Sequence, residues 1–295
     1  MEIKKFIELD KRGLIPGPGE SEEAFAKRAA YCLSLKDFLK STLEGKIPFD
    51  SKEAPLDLSE QDMERVDKQY GIRPDWVPVF FSNTRLTPWH GGCAWIFQMD
   101  ESSPTAAFLQ LRKSFFFSDQ YLKVLRKEEV VAHELAHVGR MCFEEPKFEE
   151  FLAYQSSSAV WRRYLGPLVQ STWESMLFVF LLFVIFLFDL FLFWHGDYGS
   201  YQNWMWLKTI PLVLAFIGVV RLVVRHWQFK KCSNTLSRLI SNPCTVKQVL
   251  YRLTDQEIIS FGSMDKQSLI SYIKEMEASA LRWRVLVKRY FSDIY

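Results

Sequence analysis

Two of the chain's five histidines, His133 and His137, stand four residues apart in the run Val131-Ala-His-Glu-Leu-Ala-His-Val138. On a helix that spacing puts both imidazoles one turn apart on one face, where they can share a tetrahedral metal ion. Glu134 lies one residue round from His133, beside the open coordination position. There its carboxylate can take a proton from a water held at the metal and pass it to a leaving amine. The core His-Glu-Leu-Ala-His has no Pro or Gly to break a helix, and Val130, Val131, Leu135 and Val138 surround it with apolar side chains. The same pattern also occurs by chance on ordinary helices, so a purely structural helix is the competing reading.

The segment resembles the zincin metallopeptidases, whose mark is a zinc-binding helix carrying this pattern. The resemblance covers the motif and its flanks, not the whole chain. It implies Zn2+ as the metal, His133 and His137 as ligands, and Glu134 as the catalytic base. The metzincin branch adds a third histidine six residues after the second, and Phe143 occupies that position here. The gluzincin branch instead takes a glutamate from a second helix, often with an alanine three residues later. Glu150-x-x-Ala153 matches that pattern and makes Glu150 the expected third ligand. Glu149 and Glu145 are rivals in the same stretch, which also reads as a solvated acidic helix start favoured by the helix dipole. A distant rival is Glu275 in Glu275-Met-Glu277-Ala278, similar to the glutamate motif of membrane-bound zincins in which a membrane hairpin separates the ligands.

These residues need elements to hold them. Pro146 suits the first position of a second helix. On that helix Phe148, Phe151, Leu152 and Gln155 form one side, and Glu150, Ala153 and Tyr154 another. Strands are expected over 77–81, 92–98 and 106–117. In the last, Leu109, Leu111, Phe115 and Phe117 share one face while Gln110, Arg112 and Ser114 share the other. That describes either a substrate-binding sheet edge or an ordinary half-buried hairpin strand. Ser118-Asp119 is expected to cap a helix running through Leu122, Leu125 and Val130 into the motif. His90, in Trp89-His90-Gly-Gly, reads as a substrate or metal contact or simply as a surface histidine.

Upstream, residues 1–12 lack the apolar core of a signal peptide. Residues 14–19 are turn-rich, and a helix starts near Ser21 with apolar spacing at Ala30, Leu33, Leu35 and Phe38. Residues 47–55 read as loop and 59–71 as a short polar helix.

Downstream, the polar character stops. Residues 173–194 are almost wholly apolar, long enough to cross about 30 Å of hydrocarbon at about 1.5 Å per residue. A weaker span at 205–225 has Lys208 and Arg221 near its ends and Trp204 and Trp206 at its start. Their connection has no Lys or Arg, whereas Arg162, Arg163, Arg225, Lys230, Lys231 and Arg238 lie on the other side. The positive-inside rule then puts both large regions in the cytoplasm, as expected of an integral protein of a bacterial inner membrane. Asp189 is costly inside the first span, and Lys208, near the same outer end, is its best partner. After the hairpin, Thr254-Asp-Gln-Glu257 makes a capping box, and residues 267–290 form a longer helix with Leu269, Ile273, Met276, Ala280 and Trp283 on one side.

With 16% aromatic residues and 25 Phe, the composition suits a membrane protein. A net charge of +2 and the lack of a basic run with interleaved aromatics argue against a nucleic-acid partner. The five cysteines are scattered, with no C-x-x-C, and read as free thiols. The expected fold is α+β, in four parts: a helical region at 1–72, a zincin-like catalytic domain at 73–170, a transmembrane hairpin at 173–226 and a helical region at 227–295. The catalytic domain would hold a small mixed sheet with the histidine and glutamate helices. The expected function is a membrane-anchored zinc metalloendopeptidase acting on protein or peptide substrates. The alternative is a non-enzymatic membrane adaptor whose zinc site is structural or vestigial.

Overall fold

The computed structural model describes residues 3–41, 58–100, 103–169, 172–196 and 198–291. The loop expected at 47–55 lies outside them. The fold is α+β, mostly helical around one small sheet.

Two N-terminal helices, α1 (Ile3–Lys11) and α2 (Glu22–Ser41), lead into α3 (Glu60–Tyr70). The buried stripe of α2 is Phe25, Ala29, Cys32, Leu35 and Leu39. Ala30, expected on that stripe, is exposed, so the apolar face is turned by about one residue. Ser59 and Asp62 form a capping box at the start of α3, and Gly71 ends it at φ 65°.

The sheet contains β1 (Val79–Phe81), β2 (Gly92–Phe97) and β3 (Ala106–Leu111), in the order β1-β3-β2. β1 runs parallel to β3, and β2 antiparallel to it. The expected alternation of faces along the third strand fails. All six residues of β3 are buried, because a central strand packed by helices has no wet face. The strand also stops at Leu111, and Lys113–Phe116 turn into a 3-10 helix that leaves Phe117 87% exposed. Gln110, buried among apolar neighbours, keeps its amide satisfied: it accepts from Trp95 Nε1 at 2.8 Å and donates to the carbonyls of Ser82 and Thr84.

The helix expected to start at Ser118-Asp119 is instead a hairpin, β4 (Gln120–Tyr121) and β5 (Leu125–Arg126). Leu122 and Lys123 have φ of 53° and 59°, which no helix accommodates. The Ser118 hydroxyl bonds to Gln120 rather than capping a helix. Helix α4 (Lys127–Gly139) begins only after the hairpin, with Glu128 and Glu129 in its first turn.

Next come α5 (Pro146–Tyr154) and α6 (Val160–Leu165), and then two helices long and apolar enough to cross a membrane. The first is α7 (Thr172–Trp194). The short α8 (Tyr198–Trp204) leads into the second, α9 (Thr209–Leu236). Their apolar side chains are largely exposed. Lys208 pairs with Asp189 at 2.9 Å near one end of the hairpin, the partner expected from sequence. Arg221 pairs with Glu174 at 2.8 Å near the other.

The C-terminal helices are α10 (Pro243–Tyr251), α11 (Asp255–Phe261), α12 (Lys266–Ser279) and α13 (Leu281–Tyr290). The single helix expected over 267–290 breaks at Ala280, whose φ of −123° and ψ of 129° are extended. These helices do not stand apart. One buried core joins Phe6 of α1, Tyr70 of α3, Leu135 of α4 and Trp283 of α13. The buried Arg252 guanidinium donates to Asp10 at 2.9 Å and to the carbonyl of Tyr70 at 2.8 Å, tying both ends of the chain to α3.

Candidate metal centre

Helix α4 is buried on nearly every side. From Glu129 to Gly139, only His133, Glu134 and His137 are not fully buried. All three lie on the wall of one cavity of about 890 Å³. The helix carries three valines, poor intrinsic helix formers, and tertiary burial of Val130, Val131 and Val138 offsets that weakness.

Helix α5 brings Glu150 against the two imidazoles. Its carboxylate lies 3.6 Å from His133 Nε2 and 3.6 Å from His137 Nε2. Among the described residues these three offer ligand atoms within 4.8 Å of one another, a set that could hold one metal ion. Glu149 points elsewhere: its Oε1 lies 2.9 Å from His137 Nδ1. That contact fixes the ring and leaves Nε2 for the shared position, an arrangement common behind metal-bound imidazoles. Glu145 faces α11, where it accepts from the Asp255 backbone N–H. Glu275 is exposed on α12 and lies outside both the cluster and the cavity wall.

The start of α5 is capped from across the molecule. Glu145, its N-cap residue, makes no side-chain cap. Instead the Asp255 carboxylate of α11 accepts from the N–H groups of Lys147 at 2.8 Å and Phe148 at 3.1 Å. Each helix start thus supplies an acid to the other. Phe148, Phe151 and Leu152 bury the opposite face of α5, and Phe151 packs on His226 and Phe229 of α9.

Glu134 is held by the sheet. Its Oε2 accepts from the backbone N–H of Ala94 at 2.8 Å. Ala94 belongs to β2, an edge strand with β3 on its other side. Close approach of this edge to α4 needs Gly91 and Gly92, because a Cβ on either would meet Val130 side-chain atoms at 2.9–3.0 Å.

Electrostatics follow from burial and from this crowd of acids. Burial pushes the Glu134 carboxyl up to about 6, and burial likewise raises Glu150. Burial, then the neighbouring His137, hold His133 well below the ordinary histidine range, which keeps one ring nitrogen free to bind a metal. His137 is opposed by burial, yet the Glu149 hydrogen bond and the surrounding carboxylates raise it to about 9. A divalent cation would displace the proton that these carboxylates favour on His137, and the convergent imidazoles and the Glu150 carboxylate are donors such a cation takes.

Three features of the site carry no label in the sequence reading. Tyr154 sits on the cavity wall with its ring 4.6 Å from that of His133. Its position four residues after Glu150 was a readable signal, since such residues share a helix face. Glu129 anchors the cavity floor through Ser157, Ser158 and Arg162, the last at 2.9 Å. Asp255 had no local signal at all. His90 lies at the same cavity, where Thr87 Oγ1 is 3.0 Å from its Nδ1. Cys142 packs against Gly17, away from the cavity, and all five cysteines are free thiols.

Compared with known protein families, curated proteins and solved structures, the chain finds no match.

Proposed function

We propose that this chain is a membrane-anchored zinc metalloendopeptidase with a gluzincin-like catalytic region. The observation that carries the reading is Glu134 held beside the His133–His137–Glu150 cluster, on the wall of a large cleft and against an edge strand. His133, His137 and Glu150 would hold Zn2+, which when bound polarises a scissile carbonyl and makes its water a nucleophile near neutral pH. Glu134 serves as general base and then as acid to the leaving amine, and burial already moves its carboxyl towards neutrality. The Ala94 N–H fixes the Glu134 side chain, and beyond Ala94 the outer strand β2 can pair with an extended peptide. Tyr154 faces the same space and can donate to a developing oxyanion. The hairpin anchors the enzyme, with the cleft and the C-terminal helices on the cytoplasmic side of an inner membrane.

Metal analysis of the purified chain paired with Glu134→Gln tests this. We expect about one zinc per chain in both proteins. Cleavage of an unfolded protein should fall by roughly 10²–10⁴-fold in the variant, the usual worth of a general base. Zinc bound with no cleavage by the unaltered protein would favour the adaptor reading, and wild-type cleavage by Glu134→Gln would refute the mechanism.

A further inference from the structure

We propose that the cleft opens at the membrane surface and takes polypeptide next to a transmembrane segment, so that the substrates are membrane proteins. This rests on the peptidase reading and names its substrate class. The cavity that holds His133, Glu134, His137 and Glu150 is closed on another side by Gly166, Val169, Ser175 and Met176. Ser175 and Met176 belong to the opening turn of α7, where the apolar stretch Trp173–Trp194 begins. One wall of the candidate active site is therefore the first turn of a membrane span.

The segment before it lies deeper still. The Leu168 carbonyl accepts from Arg221 of α9 at 3.2 Å, and a Cβ on Gly218 would meet Leu168 Cδ1 at 3.4 Å. Gly218 is six residues before Val224, about 9 Å into the apolar stretch of α9. Val219, Val220 and Val223 beside it are exposed, as a lipid-facing surface would be. Leu168 thus lies at the depth of the hydrocarbon boundary, and Val169 carries that level into the cavity wall. The charges at this depth are neutralised by each other, since Arg221 pairs with Glu174.

The rim agrees. Trp89 is 67% exposed and Met176 60% exposed, both on the cavity edge. Met176 continues into the exposed apolar side chains of α7, and a tryptophan at such an edge is favoured at the bilayer surface. A water-soluble chain has to reach down to that level, whereas a chain tethered beside a span is delivered there at high effective concentration.

The full chain in lipid nanodiscs tests this, with Glu134→Gln to hold substrate and p-benzoylphenylalanine replacing the exposed Trp89. The probe is a single-span polypeptide carrying one fixed unfolded sequence about 3, 15 or 40 residues from its membrane segment, alongside the same sequence as a free peptide. Photocrosslinking should be strongest for the shortest spacer and fall by about tenfold for the longest. Equal crosslinking at every spacing and of the free peptide would overturn the proposal. Cleavage of the same series by the unaltered protein is read separately. Spacer-dependent crosslinking without cleavage keeps the membrane-surface cleft and removes the peptidase reading; spacer-independent crosslinking with cleavage does the reverse. A fluorophore on Val169→Cys, quenched by nitroxide lipids, is the second measurement. An unquenched label with a quenched control at Leu182→Cys would also overturn the proposal.

Discussion

Glu149 and Glu150 are neighbours on one helix, yet the rotation of about 100° between them separates two roles. Glu150 faces both Nε2 atoms, and Glu149 faces the far nitrogen of His137. With Glu150 as the ligand, helix spacing by itself gives Glu149 little part in holding a metal; the hydrogen bond to His137 gives it one. We expect Glu150→Ala to abolish stoichiometric zinc, because two imidazoles hold a metal weakly. Glu149→Ala should weaken zinc by about 10–100-fold, the usual cost of losing an outer partner. Glu275→Ala should change nothing. Competition against a chromophoric chelator measures all three, and a metal-free Glu275→Ala protein would show that the ligand lies on α12.

At the scale of elements, α11 does more than pack. Its Asp255 caps α5, and its Glu257 is a buried acid that meets Arg282, Trp283 and Tyr272. Burial works against ionisation of Glu257, but the Arg282 charge and these hydrogen bonds prevail and hold its carboxyl below 4.5. A carboxyl depressed in the folded state stabilises the protein above its unfolded pKa and loses that contribution as pH falls through its folded pKa. The Glu257 contribution to the urea midpoint should therefore be constant above about pH 5 and fall on acidification below about 4.5. In Glu257→Gln the acid-dependent part from this site should vanish, at a neutral-pH cost of about 3–5 kcal/mol for the Arg282 left unpaired. An unchanged acid slope would remove Glu257 from the linkage.

Considered whole, the molecule interleaves its two ends. The sequence places His133, His137 and Glu150 before Gly166, so a fragment ending there should take up one zinc if it folds. In the structure, α10 and α13 fill the core under α3 and α4: Tyr251 donates to the Ala136 carbonyl at 2.7 Å, and a Cβ on Gly139 would meet its hydroxyl at 2.2 Å. Truncation at Gly166 also leaves Asp10 without Arg252 and α5 without its Asp255 cap. That fragment should show no cooperative unfolding and no tight zinc. A fragment that binds one zinc would prove the first half autonomous. The orientation of the hairpin is tested in intact cells: a cysteine at Ser200 should react with a membrane-impermeant thiol reagent and one at Glu275 should not. The opposite pattern would invert the topology.

The histidine motif, the second helix with its glutamate, the capping box at Thr254 and the two apolar helices were legible in the sequence. Each rests on spacing within a turn or two, or on a run of one residue class, and such signals are local. The pairing of Asp189 with Lys208 followed from the same helical arithmetic. The tertiary structure alone decided the rest. A central strand hides its alternation because both faces are covered, so β3 could not be told from a half-wet hairpin strand. The hairpin before α4 depends on two residues at positive φ with no glycine to announce them. Asp255 caps α5 from more than a hundred residues away, and no local pattern records a partner at that distance. The cavity wall shared by the His133–His137–Glu150 cluster and the first turn of α7 is likewise a contact between distant segments, and only packing brings them together.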